Sequence, residues 1–174
     1  MIINLSFFKA AWLASVLTAA ASMPVLGTAA VAIAVIVHLR RAENVQGEVR
    51  LLFLAALMGL LWESALVSFG LVEYTASSIL PGSAPYWIVA MWVLFATTLN
   101  VGMRWLQKST WVAAVAGAVG GPMSFLAGQK AGAVSFPDQT LAIVAISLGW
   151  AVLLPLLVRF ASRSAIDPTM VAQR

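Results

Sequence analysis

The sequence predicts an all-α integral membrane protein, a bundle of six transmembrane helices with both termini in the cytoplasm. Three observations carry this reading. The chain of 174 residues is 62% hydrophobic and only 9% charged, whereas a soluble domain is about 45–50% apolar and about 25% charged. It contains six apolar stretches near the roughly 20 residues that a bilayer crossing needs. Its basic residues segregate to alternate loops, as the positive-inside rule expects. Such a chain cannot clothe a water-facing surface in polar groups, so lipid is its solvent. Its length suits one transmembrane domain over residues 1–174.

The first span is residues 2–23, with Lys9 near enough to the inner interface to snorkel. Its apolar run ends in Ala19-Ala20-Ala21-Ser22 and loosely fits a signal peptide. The apolar residues ahead of Lys9, and Pro24 beside the cleavage point, favour an uncleaved helix. Pro24 and Gly27 separate it from the second and shortest span, residues 25–39. The third is 51–72, the fourth 84–106, the fifth 111–128 and the sixth 141–160.

The loop charges orient these spans. With the N-terminus inside, Arg40, Arg41 and Arg50 fall on the cytoplasmic side. So do Arg104 and Lys108, and Arg159, Arg163 and Arg174 of the tail; only Lys130 lies outside. The outer loop Glu73 to Pro85 has no positive charge, and Tyr74, Tyr86 and Trp87 suit the outer interface.

Several function classes are disfavoured. There is no cysteine, so disulfides, iron–sulfur ligation and thiol catalysis drop out. One histidine and few acids argue against a metal or haem cofactor, and neither is expected. His38, beside two arginines, is not read as a metal ligand. The net charge of +4 reflects topology, not nucleic-acid binding. No HExxH, GxSxG or Walker loop occurs.

Polar groups at membrane depth are costly and mark candidate sites. Glu63 lies roughly 18 Å from the inner end of the third span and, if ionised, needs a partner. Thr97, Asn100 and Arg104 share one helical face, at about 15 Å, about 10 Å and nearer the cytoplasm. A polar chain from Glu63 through Thr97 and Asn100 to Arg104 is expected. Gly120-Gly121-Pro122, followed by Ser124, predicts a break in the fifth helix at the depth of Glu63. Broken helices often build midplane binding sites. Gln129 and Lys130 are placed at an outer mouth. Structural readings stand beside these: Glu63 and Asn100 as interhelical hydrogen-bonders, Arg104 as a topology anchor, the Gly-Gly-Pro run as a kink. Trp12, Trp62, Trp92 and Trp150 read as packing or interface residues. Ala10, Ala14, Ala21 and the Ala113–Gly121 stretch read as close helix packing, or as a docking face for another subunit.

Trp62-Glu63-Ser64, Ala96-Thr97-Thr98-Leu99-Asn100, Arg104-Trp105-Leu106 and Gly117-Ala118-Val119-Gly120-Gly121-Pro122 appear in order. They are followed by Ser124, Ala127-Gly128, Gly149-Trp150-Ala151 and Leu154-Pro155. In sequence and spacing this series resembles DUF2878, a family of small bacterial inner-membrane proteins of unknown function. The resemblance spans nearly the whole chain, although the family often carries Asp at the Glu63 position. It implies a multi-pass protein of the bacterial cytoplasmic membrane and supplies no activity.

The leading expectation is therefore a non-enzymatic protein that binds or transports a small or lipid-like molecule near the midplane. Its ligand-binding residues would be Glu63, Thr97, Asn100, Arg104, Gly120, Gly121, Pro122 and Ser124. Its partners would be membrane lipids, a small-molecule ligand and a membrane-protein partner. One alternative is an accessory or scaffold subunit of a membrane complex such as a lipid-modifying enzyme. Another is an intramembrane enzyme that uses Glu63 as acid–base group.

Overall fold

A computed structural model describes residues 2–76 and 80–165; Arg174, assigned above to the cytoplasmic tail, lies outside them. The described residues form α1 (Ile2–Ala20), α2 (Pro24–Leu39), α3 (Val45–Ser68), α4 (Tyr86–Ala96), α5 (Thr110–Lys130) and α6 (Gln139–Ser164). A 3-10 turn at Arg104–Lys108 precedes α5. Four helices, α1, α3, α5 and α6, are long and apolar enough to cross a membrane, whereas α2 and α4 are shorter apolar helices. Three helices start on side-chain caps. Asn44 accepts from the Gly47 N–H, Ser109 from Val112 and Asp138 from Leu141, each satisfying a first-turn donor that lacks a helical partner.

The two ends of the bundle differ in chemistry. At one end β1 (Glu73–Tyr74) and β2 (Val134–Ser135) pair antiparallel, joining the α3–α4 and α5–α6 loops. At the other end Asn44 Nδ2 donates to the Ser164 carbonyl at 2.9 Å, and Asn4 Nδ2 to His38 Nδ1 at 2.9 Å. The start of α1 and the end of α6 therefore share this second end with Arg40, Arg41, Arg104 and Lys108.

Two predicted helices differ from expectation. The fifth is not broken: α5 runs without interruption from Thr110 to Lys130, with Pro122 buried inside it. Pro122 removes one backbone hydrogen bond, but opening the helix in lipid would unpair several backbone groups at several kcal/mol each. The discontinuity lies in the fourth instead. α4 ends at Ala96, and its 11 residues rise only about 16 Å, roughly half the hydrocarbon core. Thr97 Oγ1 donates to the Leu94 carbonyl at 2.6 Å and Thr98 Oγ1 to that of Phe95 at 2.7 Å. The backbone N–H groups of Thr97, Thr98 and Leu99 bond three residues back, which tightens the last turn until it stops.

The bundle closes by setting tryptophans against glycines. Gly59 of α3 lies against Trp92 of α4, and Trp92 stacks on Trp150 of α6 with ring centroids 4.7 Å apart. Trp150 in turn lies against Gly121 of α5, and Trp62 of α3 against Gly149 of α6. Helices in lipid gain little from hydrophobic exclusion and associate through close packing, which a missing Cβ permits.

Candidate functional site

The structure forms two polar sites where the sequence predicts one. The first joins four helices and the segment after α4 at the basic end. Glu48 of α3 accepts from Asn100 Nδ2 at 2.7 Å and from His38 Nε2 at 2.9 Å, one bond on each oxygen. Asn4 Nδ2 donates to His38 Nδ1 and, at 3.3 Å, to the Thr97 carbonyl. Only the amide nitrogen can serve both acceptors, so Nδ1 is the bare nitrogen of the ring and Nε2 carries the proton given to Glu48. Asn100 also donates to Ser164 Oγ at 3.3 Å and accepts from Gln107 Nε2 at 3.0 Å. Arg104 Nε donates to the Asn100 carbonyl at 2.6 Å. Both His38 nitrogens and both Glu48 oxygens are engaged, so this network is a cross-brace. It borders a polar cavity of about 400 Å³ lined by Asn4, His38, Arg41, Glu43, Glu48 and Arg104, among others.

The second site centres on Glu63, which is fully buried. It lies 15 positions beyond Glu48 on α3, roughly 22 Å along the axis. Its Oε1 accepts from Trp92 Nε1 at 2.8 Å and its Oε2 from the Tyr74 hydroxyl at 2.6 Å. Burial pushes the Tyr74 phenol well above its ordinary pKa, and the Glu63 carboxylate adds to the shift, so the hydroxyl stays a donor. Among the described residues Glu63 has no ion-pair partner. A Tyr74→Phe variant removes one of its two donors while keeping the β1–β2 ladder. We expect a loss of about 1–2 kcal/mol, measured as a lower melting temperature in detergent.

Glu63 forms part of the wall of an open cavity of about 510 Å³. α1 and α5 flank this cavity, with Trp92 and Phe95 of α4 and Trp150 of α6 behind. Its wall is otherwise almost wholly apolar, and among the described residues no Lys, Arg or His lines it. Along α5 it reaches from Ala116 to Ala127, roughly 16 Å. Along α1 it is lined by Phe8 and Trp12. Asn4, one turn below Phe8 on the same face, lines the polar cavity.

Glu63, Gly120, Gly121 and Ser124 thus meet at the apolar cavity, and Asn100 and Arg104 at the polar one. Thr97 belongs to the basic end through its carbonyl and does not reach the level of Glu63. Pro122 is buried within α5. The expected chain from Glu63 to Arg104 is replaced by these separate clusters, because α4 stops at Ala96. Gln129 donates to Gln139 at 3.4 Å, near the loop. Among the described residues no group of three or more His, Asp or Glu is placed to hold a metal.

Sequence reasoning missed Asn4, His38, Glu48, Gln107 and Ser164 in the inner network, and Tyr74 at Glu63. Glu48 and His38 lie beside the arginines that flank the α2–α3 loop, where charge reads as topology. One signal was available: Glu48 is the only acid between Arg41 and Arg50 on the helical stretch itself, and ten residues separate it from the single histidine.

A family model described as a protein of unknown function, DUF2878, matches residues 1–156. No curated protein and no solved structure matches the chain.

Proposed function

The chain belongs to the DUF2878 family, and from that premise we propose that it binds a lipid-like molecule in the cavity between α1 and α5. In this reading all six helices sit in a bacterial cytoplasmic membrane. The basic end, with both termini, faces the cytoplasm, as the positive-inside rule favours. The short α2 and α4 are held by their neighbours. The observation that carries the proposal is the 510 Å³ apolar cavity at membrane depth. It is open rather than enclosed, and an open apolar space between lipid-facing helices favours an occupant with a long apolar part. Glu63 fixes Trp92 in the cavity wall by accepting from its indole N–H. Nothing in this arrangement calls for turnover, so the role is binding or passage.

Gly120 provides the test. It lines the cavity, and a Cβ added there meets nothing within 4 Å. Gly120→Phe therefore adds a bulky ring at the cavity wall from a position where the Cβ has room. Native mass spectrometry of gently extracted protein should find a retained lipid-like molecule in the wild type and much less in the variant. Equal retention in both would exclude the cavity as the binding place. A protein retained in its stead would favour the accessory-subunit reading.

A further inference from the structure

We infer that the occupant is a phospholipid of the leaflet at the basic end, with an acyl chain in the apolar cavity and its phosphate on Arg41 and Arg104. This rests on the binding reading above and names the ligand class. The first support is the order of chemistry along α1. Asn4 lines the polar cavity, Phe8 and Trp12 the apolar one, and the three are spaced four residues apart on one helical face. In the segment after α4, Arg104 borders the polar cavity, while Met103 and Trp105 border the apolar one. A polar head followed by an apolar tail matches the order of walls along α1, and residues 103–105 touch both cavities.

The second support is the set of guanidinium donors. Arg41, Arg104, Glu43 and Glu48 line the polar cavity. Both Glu48 oxygens are occupied by His38 and Asn100. Among the described residues neither arginine forms an ion pair with a carboxylate. Two guanidinium groups thus share the cavity with two acids, Glu43 and Glu48, and neither guanidinium spends its N–H donors on a carboxylate, which leaves donors for a phosphate. Arg104 is oriented by the bond from its Nε to the Asn100 carbonyl. Forked guanidinium donors fit phosphate oxygens, and the exposed Trp105 next to Arg104 in the chain suits a lipid–water interface. Glu63, which lines the apolar cavity and not the polar one, meets the chain and not the head.

The experiment uses the full-length protein, stripped of lipid in mild detergent and titrated by native mass spectrometry. The probes are phosphatidylglycerol, phosphatidylethanolamine and diacylglycerol with identical chains, and glycerol phosphate alone. Both phospholipids should bind, and diacylglycerol should bind at least about tenfold more weakly, the loss of about 1.4 kcal/mol of phosphate contact. Arg41→Ala and Arg104→Ala should each weaken phospholipid binding by about tenfold and leave diacylglycerol unchanged. Arg41 is exposed and outside the inner network, so its variant reads binding even if Arg104→Ala unfolds. Diacylglycerol binding as tightly as the phospholipids would overturn the phosphate assignment and leave the cavity reading standing. Glycerol phosphate binding as tightly as the lipids would overturn the lipid assignment. Phospholipid binding undiminished in Gly120→Phe would remove the cavity reading, and this inference with it.

Discussion

Gly117→Val will drive α5 away from α6 and cost at least about 3 kcal/mol, at or above the upper end of usual overpacking penalties. A Cβ at Gly117 would fall on the carbonyl oxygen of Trp150, a backbone atom inside α6. Neither helix can yield locally. Trp150 is fixed by its stack on Trp92 and by the edge contact with Phe95, centroids 5.4 Å apart. The expected result is loss of the monodisperse peak on size exclusion and a much lower melting temperature. The control is Gly120→Ala. Its added methyl meets open space, and replacing a helical glycine should stabilise by roughly 0.5–1 kcal/mol. If Gly117→Val melts like Gly120→Ala, the close α5–α6 approach is wrong.

Glu48→Ala is the second large effect. It strands the His38 Nε2 proton and the Asn100 amide, both buried. Leaving two buried donors unsatisfied costs about 1–3 kcal/mol each, about 2–6 kcal/mol together. Glu48→Gln separates charge from hydrogen bonding. Glutamine has one acceptor oxygen where Glu48 uses two, so one donor faces an amide N–H₂ and about 1–3 kcal/mol is lost. Denaturant titration of the solubilised protein should rank wild type above Gln and Gln above Ala. Equal stability of all three would mean that the basic end is braced by packing alone. Because the network ties α1, α2, α3 and α6 to the segment after α4, its loss should also raise proteolytic cutting near Asn100.

The sequence alone was enough to identify a helical membrane protein, to find its six apolar helices, though the third begins six residues and the fourth ends ten residues before the expected bounds, and to mark Glu63 as a buried acid. These features are local. Lipid solvation sums along a segment, so hydropathy finds helices, and a lone carboxylate among leucines is visible wherever the helix packs. The tertiary structure decided which helix is interrupted. Pro122 is absorbed because α5 can lie against α6 through Gly117 and Gly121, whereas Thr97 and Thr98 turn their hydroxyls onto their own helix and end α4. It also decided which polar groups meet. Asn100 finds Glu48 across 52 residues of chain, and Tyr74 drops from the β1–β2 ladder onto Glu63. In lipid an apolar stripe does not specify which face of a helix turns inward, since lipid tails solvate either face equally well. Rotation and register are instead set by hydrogen bonds and by glycine–tryptophan contacts between distant segments, and these pairings exist only once the helices are assembled.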